Sequence, residues 1–312
     1  MKSWYLEVLA CPICSNSLTE KNNLLVCDVC GKSYSILGGN IIVSNQDYFK
    51  SQSVLKFYRY GTRLRERCKV KYSTSYYETP IYIDFIKKNI CNKCERDVVI
   101  DVGCGDGRFT ELLLNEGFNK IIAVDISIEN LIRLREYYNN TYKILLINSD
   151  VLLVPLKSEI ADVIIAIEVL YYLGDRYRDG LQVISKLLKP DGIAIISEPL
   201  VEGAALYQLV RNDLSEFCKT IKEKVKKEIN VCGEVIYTRV FELEEIEKIF
   251  RENGFEILNK RGIPALPSLC AYVLNSKDYP EELKNFADAI IKELVVRNKP
   301  PFRCMCYSLS KK

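Results

Sequence analysis

Residues 98–107 read Val-Val-Ile-Asp-Val-Gly-Cys-Gly-Asp-Gly. Five residues of mostly β-branched character predict a buried strand, and the glycines at 103, 105 and 107 predict a sharp turn out of it. A helix over 107–116, stopped by Gly117, is expected to follow. Its free N-terminal amides can then meet a polar or anionic group lying on the turn. Dinucleotide-binding turns of the Gly-x-Gly-x-x-Gly type would need glycine where this chain has Arg108. Working outward, strands are expected at 121–125, 144–147, 163–167 and 193–196, with helices over 128–138 and 175–188 between them. Near-continuous apolar strands alternating with helices predict an α/β, doubly wound, largely parallel sheet covered on both faces.

Each strand end carries a polar residue of consequence. Asp125 ends the second strand, 22 residues beyond Gly103, where an acid can accept both hydroxyls of a ribose lacking a 2′-phosphate. Asp150 follows the third strand and can take an adenine amino group. Glu168 follows the fourth, before the pair Tyr171-Tyr172. The pieces VIDVGCGDGRF, IIAVDIS, NSDVLLVPL, ADVIIAIEVLYYL and LLKPDGIAIISEP, in this order and spacing over about residues 95–262, resemble the class I S-adenosylmethionine-dependent methyltransferases. The resemblance implies a seven-stranded, Rossmann-like sheet and S-adenosyl-L-methionine as cofactor. Gly103, Gly105 and Gly107 would flank its methionine moiety, with Asp101 ordering the loop. Asp125 would hold the ribose, and Asp150 with the Val151 amide would read the adenine.

Residues 1–46 form a separate expected unit, too small to build a core unaided. Cys11-Pro12-Ile13-Cys14 and Cys27-Asp28-Val29-Cys30 are twelve residues apart, and two such knuckles supply four thiolates to one tetrahedral zinc. A closed four-thiolate site has no open position, so the expected zinc is structural. Metal binding of this kind contributes roughly 10–16 kcal/mol in small peptides and can replace a missing core. The string LEVLACPICSNSL…LLVCDVCGKSYSILGGNIIV resembles the small zinc-ribbon activators of tRNA and protein methyltransferases. It departs from their usual pattern at Tyr34-Ser35-Ile36 and Gly39-Asn40-Ile41-Ile42. Cys91 and Cys94 with Cys304 and Cys306 could pair into a second metal site, whereas Cys104 reads as a packed, unreactive thiol.

The remaining residues, 47–312, read as the methyltransferase domain, with 199–241 and 263–301 as insertions capping the acceptor. Apolar stripes at helical spacing over 213–229 (Leu214, Phe217, Cys218, Ile221, Val225, Ile229) and 280–297 favour a small organic or lipid-like acceptor. Between Lys50 and Lys71 lie eight basic residues against one acid, with tyrosines interleaved, in a stretch expected to be mostly helical from 48 to 90. That run supports RNA as the alternative acceptor. A non-catalytic cofactor-binding scaffold is the third reading. The chain has no histidine, so a general base must come from another residue type; Glu168, Tyr171 and Tyr172 are the candidates, with Glu198 behind them. No apolar run is long enough to span a membrane and no secretory signal opens the chain, so a cytoplasmic location is expected.

Overall fold

The computed structural model describes residues 3–43, 69–71, 73–90, 97–138, 142–230, 233–265, 270, 274, 280–298 and 300–311. The expected basic helix before residue 69 and the Cys91/Cys94 pair lie outside the described residues.

The expected buried strands form at β5 (Val98–Val102), β6 (Lys120–Asp125), β7 (Ile144–Asn148), β8 (Ala161–Ile167) and β9 (Leu188–Pro199). All five pair in parallel, in the order β7-β6-β5-β8-β9. Because neighbouring strands are parallel, the connections must cross over the sheet, and α3 (Thr110–Asn115), α4 (Ile128–Tyr137) and α5 (Tyr177–Leu187) do so between β5 and β6, β6 and β7, and β8 and β9. The final strand β13 (Phe302–Lys311) enters antiparallel between β9 and β12 (Phe255–Pro264). Side chains alternate between the two faces. Ile100, Val102 and Ile147 pack into one apolar cluster, while Val99, Ile121 and Leu146 pack into the other.

Among the described residues the sheet has eleven strands, which corrects the expected seven. The extra four are β1 (Thr19–Lys21), β2 (Leu24–Val26), β3 (Ser33–Leu37) and β4 (Ile41–Val43), an antiparallel run from the cysteine-rich segment. Its last strand pairs in parallel with β7, Ile42 opposite Ile147. Ile41 and Ile42 are fully buried on opposite faces of the sheet. The short helix α1 (Ser3–Val8) also docks here, with Tyr5 Oη donating to the Ile144 carbonyl at 2.8 Å.

A second correction concerns 213–229, expected as one helix. Helix α7 (Leu214–Glu223) ends at Lys224, which adopts a left-handed conformation, and Val225–Ile229 forms strand β10 paired with β11 (Val235–Arg239). The apolar spacing of Leu214, Phe217, Cys218 and Ile221 is truly helical. Beyond Lys224, alternation sets Lys226 and Glu228 beside Thr238 and Ile236, and only the presence of 235–239 as a partner selects the strand. The stripe does not form a buried lining: Leu214 and Ile221 are 60% and 48% exposed. Helices α2 (Thr74–Ile90), α6 (Val201–Val210), α8 (Leu243–Glu252) and α9 (Glu281–Arg297) complete the described elements. In α9, Ile291 is buried in a small cluster with Tyr77 and Leu274, while Phe286 is exposed. No helix among the described residues is long and apolar enough to cross a membrane.

Candidate cofactor, acceptor and metal sites

At the carboxyl end of β5 the backbone leaves the sheet through Gly103, Gly105 and Gly107, all at positive φ. The Gly103 and Cys104 amides donate to the Val124 carbonyl at 2.8 and 3.0 Å, which folds the loop over β6. Glycine is required at 103 on two counts. Its φ is +66°, and a Cβ would lie 2.3 Å from Val169 Cγ2. Cys104 is buried, as expected of a packed thiol.

The expected acids converge on this loop. Asp125 Oδ2 accepts the Gly105 amide at 2.7 Å, and Oδ1 accepts the Ser127 amide at 2.8 Å and Asn130 Nδ2 at 3.3 Å. Burial raises its carboxyl despite these bonds. Asn148 Nδ2 donates to the Asp125 and Ile126 carbonyls, tying the end of β7 to that of β6. Asp150 caps the short turn Val151–Leu153, accepting the Leu152 amide at 2.9 Å, and Val151 is buried beside it. Strand order therefore lays Asp150, Asp125, the glycine loop and Glu168 side by side along one sheet edge.

Asp101 is buried under the loop and accepts from Thr110 Oγ1 at 2.7 Å. Burial pushes its carboxyl from 3.8 up to about 7, outweighing that bond. A raised carboxyl favours folding while protonated. Its contribution is fully present below the ordinary carboxylate range and is lost as pH rises through about 7. Asp101→Asn, neutral at every pH, should match the wild type at pH 4 and exceed it above pH 8 by at most about 4 kcal/mol. Urea unfolding at both pH values tests this; a difference that does not change with pH rules it out.

Beyond the loop lies a cluster of polar and charged side chains. Glu168 sits at φ +59°, which costs a residue with a Cβ roughly 1–2 kcal/mol. Arg303 of β13 holds it by an ion pair from Nη2, and the same guanidinium grips Glu78 of α2, with Nη2 to Oε2 at 2.6 Å. Tyr82 Oη donates to Glu168 at 2.9 Å and meets Ser197 Oγ at 3.0 Å. Burial pushes the Glu168 carboxyl up, but the cations Arg303, Arg108 and Lys226 outweigh it and bring it to about 2. On the other side, Tyr171 Oη donates to Tyr172 Oη at 2.9 Å, and Tyr172 Oη donates to Glu228 Oε2 at 2.7 Å. Lys226 pairs with Glu228 at 2.8 Å, and Thr238 donates to Glu228 at 3.3 Å. The side chains of Lys226, Glu228, Arg303 and Glu168 each keep about a fifth of their surface accessible.

Glu198 is fully buried and accepts from Tyr177 Oη at 3.1 Å, and burial pushes its carboxyl well above the ordinary range. Five residues of the cluster (Lys226, Glu228, Glu78, Tyr82 and Arg303) carry no local sequence signal. Lys226 and Glu228 fall in the segment whose spacing reads as helix.

The four knuckle cysteines also converge. All four Sγ atoms of Cys11, Cys14, Cys27 and Cys30 lie within 4.8 Å of one another, with Cys11–Cys30 at 3.5 Å and Cys14–Cys27 at 3.4 Å. Zinc–sulfur bonds of about 2.3 Å require sulfurs about 3.8 Å apart in a tetrahedron. The knuckles are alike: Cys11 and Cys27 amides donate to the Asn16 and Lys32 carbonyls, and Ser15 and Gly31 donate back to Cys11 and Cys27. Tyr34 Oη lies 3.2 Å from Cys11 Sγ as an outer partner. Four thiols so placed could hold one tetrahedral metal ion. Cys304 and Cys306 are instead packed in the core, Cys304 donating to Glu168 at 3.3 Å.

A glycine loop clamped to an acid on the next strand, at the carboxyl ends of a parallel sheet, defines a cofactor-binding α/β protein. The chain belongs to the methyltransferase-domain family, whose model matches residues 76–260. No curated protein sequence matches it. Among solved structures it is similar to a protein described as an S-adenosylmethionine-dependent methyltransferase from Listeria monocytogenes, at TM-score 0.54 and 16% identity, covering 76% of this chain and 99% of that one. It is similar as well to a chain of the complex between the Haloferax volcanii Trm112 methyltransferase activator and a methyltransferase, at TM-score 0.51 and 17% identity, covering 86% and 99%. Both likenesses concern the fold.

Proposed function

We propose that this chain transfers the methyl group of S-adenosylmethionine to a small, polar acceptor. The observation that carries the reading is the cluster of charged and phenolic side chains beyond the clamped glycine loop. Bound S-adenosylmethionine supplies an electrophilic methyl on its sulfonium. Asp125 would hold the ribose hydroxyls, Asp150 with the Val151 amide the adenine, and Gly103, Gly105 and Gly107 would give the methionine end close backbone approach. Asp101, through Thr110, keeps the loop in place. These groups fit an adenosine cofactor: the carboxylates lie at adjacent strand ends, and Asp125 already binds loop amides as an acceptor.

The chain's own task is to orient the acceptor in line and remove its proton. Tyr171 and Tyr172 form an oriented hydrogen-bond chain into Glu228, so a proton leaving the acceptor can pass to Glu228 through Tyr172. Glu168, ion-paired with Arg303 and with its carboxyl near 2, has little proton affinity at neutral pH. It would position Arg303 and the acceptor. The polar lining favours a hydrogen-bonding acceptor over a lipid-like one, because apolar substituents would strip water from charges without replacing its bonds.

We assign residues 1–46 to a structural zinc ribbon and 47–312 to the methyltransferase domain, with 199–241 and 263–301 covering the acceptor. The Haloferax pairing of an activator with a methyltransferase supports reading the ribbon as a built-in brace.

Transfer of labelled methyl to fractionated small-molecule, RNA and protein extracts is the deciding assay, with label expected in the small-molecule fraction. Label confined to RNA would establish the RNA reading. No transfer at all, with cofactor bound, would establish the scaffold. In calorimetry, Asp125→Ala should weaken S-adenosylmethionine by at least roughly tenfold, since charge-assisted bonds contribute about 1.5–3 kcal/mol each. Unchanged affinity rejects the ribose assignment.

A further inference from the structure

The two carboxylate oxygens of Glu168, which follows β8 directly, are used unequally. Oε1 accepts from Tyr82 Oη at 2.9 Å, from Cys304 Sγ at 3.3 Å and from Arg303 Nη2. Oε2 accepts from no described residue. The side chain nevertheless keeps 22% of its surface accessible. Burial disfavours its charge, yet Arg303, Arg108 and Lys226 bring the carboxyl to about 2, so it is ionised at neutral pH. An ionised carboxylate only accepts, and Oε2 therefore lacks a donor. The backbone holds this group at φ +59°, and strain of that kind persists where a site makes use of it.

Its surroundings say which donor. The next residue, Val169, packs on the glycine loop, where a Cβ at Gly103 would lie 2.3 Å from Val169 Cγ2. Glu168 thus stands beside the part of the loop assigned to the methionine end of the cofactor, from which the methyl departs. Three residues on, Tyr171 begins the hydrogen-bond chain through Tyr172 to Glu228. Lys226, paired with Glu228 at 2.8 Å, also bears electrostatically on Glu168, so relay and carboxylate are neighbours. The acceptor atom must give one proton to the relay. A hydroxyl has only one, and on losing it would turn lone pairs toward the open oxygen of Glu168. An ammonium with two or more hydrogens can release one and keep another on Glu168. We propose that the methyl acceptor is a primary or secondary amine, bound as its ammonium through an N–H to Glu168 Oε2. The assignment rests on the methyltransferase reading above. One ammonium proton passes through Tyr172 to Glu228. The freed nitrogen lone pair forms the N–C bond as the C–S bond breaks, its electron pair left on sulfur. A methylated ammonium and a neutral thioether result.

The full chain, S-adenosylmethionine with an isotopically enriched methyl carbon, and a small-molecule extract make the test. Carbon NMR of the product separates methyl on nitrogen from methyl on oxygen, sulfur or carbon. Methyl on an amine nitrogen is expected, and methyl on any other atom overturns the assignment. With the acceptor so identified, Glu168→Gln should raise its KM about 10–100-fold, the range of a charge-assisted hydrogen bond, with kcat affected far less. Calorimetry should find S-adenosylmethionine affinity unchanged in that variant. An unchanged KM, or a variant that weakens acceptor and cofactor alike, would make Glu168 a residue of the fold. Enriched methyl absent from every small-molecule fraction overturns the small-acceptor reading itself, and the amine with it.

Discussion

Replacing Cys27 and Cys30 by serine is expected to strip the metal and destabilise the whole chain, not residues 1–46 alone. Strand β4 completes the ladder of β7, and without it β7 becomes an exposed edge. Leu25, Ile36 and Ile42 share one apolar cluster with Val102, Ile147 and Phe250, and Ile41 enters the cluster on the other face. Exposing these four side chains removes on the order of 6–12 kcal/mol of burial. That is comparable with the total stability of roughly 5–15 kcal/mol of a typical domain. The double variant should therefore lose its zinc by elemental analysis, melt well below wild type and lose cofactor affinity. Full zinc retention would sink the four-cysteine site. A zinc-free variant with unchanged melting and cofactor binding would make the ribbon an independent appendage.

The second large effect is expected at Glu228. With the acceptor that the labelled-methyl assay identifies, Glu228→Gln and Tyr172→Phe should each lower turnover by about 10²-fold or more, the range of a lost acid–base group. S-adenosylmethionine affinity should not change, because the hydrogen bonds of Tyr172 and Glu228 described above run to Tyr171, Lys226 and Thr238 and to each other. Glu168→Gln should act differently, chiefly weakening acceptor binding, since it releases Arg303 from one of its two carboxylates. Full turnover in both Glu228→Gln and Tyr172→Phe would remove the relay.

Some of this was legible along the chain because it is local. Apolar runs of strand length, the glycines at 103, 105 and 107, and the acids after successive strands place a loop and its partners through spacing alone. Asp125 meets Gly105 because a parallel β5–β6 pair must bring those ends together. The two cysteine knuckles announce their convergence in the same way, through paired short turns. The charged cluster was not legible. Glu78, Glu168 and Arg303 meet across separations of 135 and 225 residues, and no period in the sequence links them. Lys226 and Glu228 reach Tyr171 and Tyr172 only because 225–229 is a strand, a choice made by pairing with 235–239 against a spacing that also suits a helix.

The sequence by itself determined the glycine loop, the strand-end acids and the cysteine quartet, since each follows from backbone conformation and nearest-neighbour spacing. Tertiary structure alone decided that the cysteine-rich segment continues the central sheet through the β4–β7 pair, and that charged side chains from α2, β10 and β13 gather around Glu168 and Tyr172. Periodicity records which faces of an element are apolar. It does not record which distant strand supplies the missing hydrogen bonds, or which distant carboxylate reaches a buried cation first.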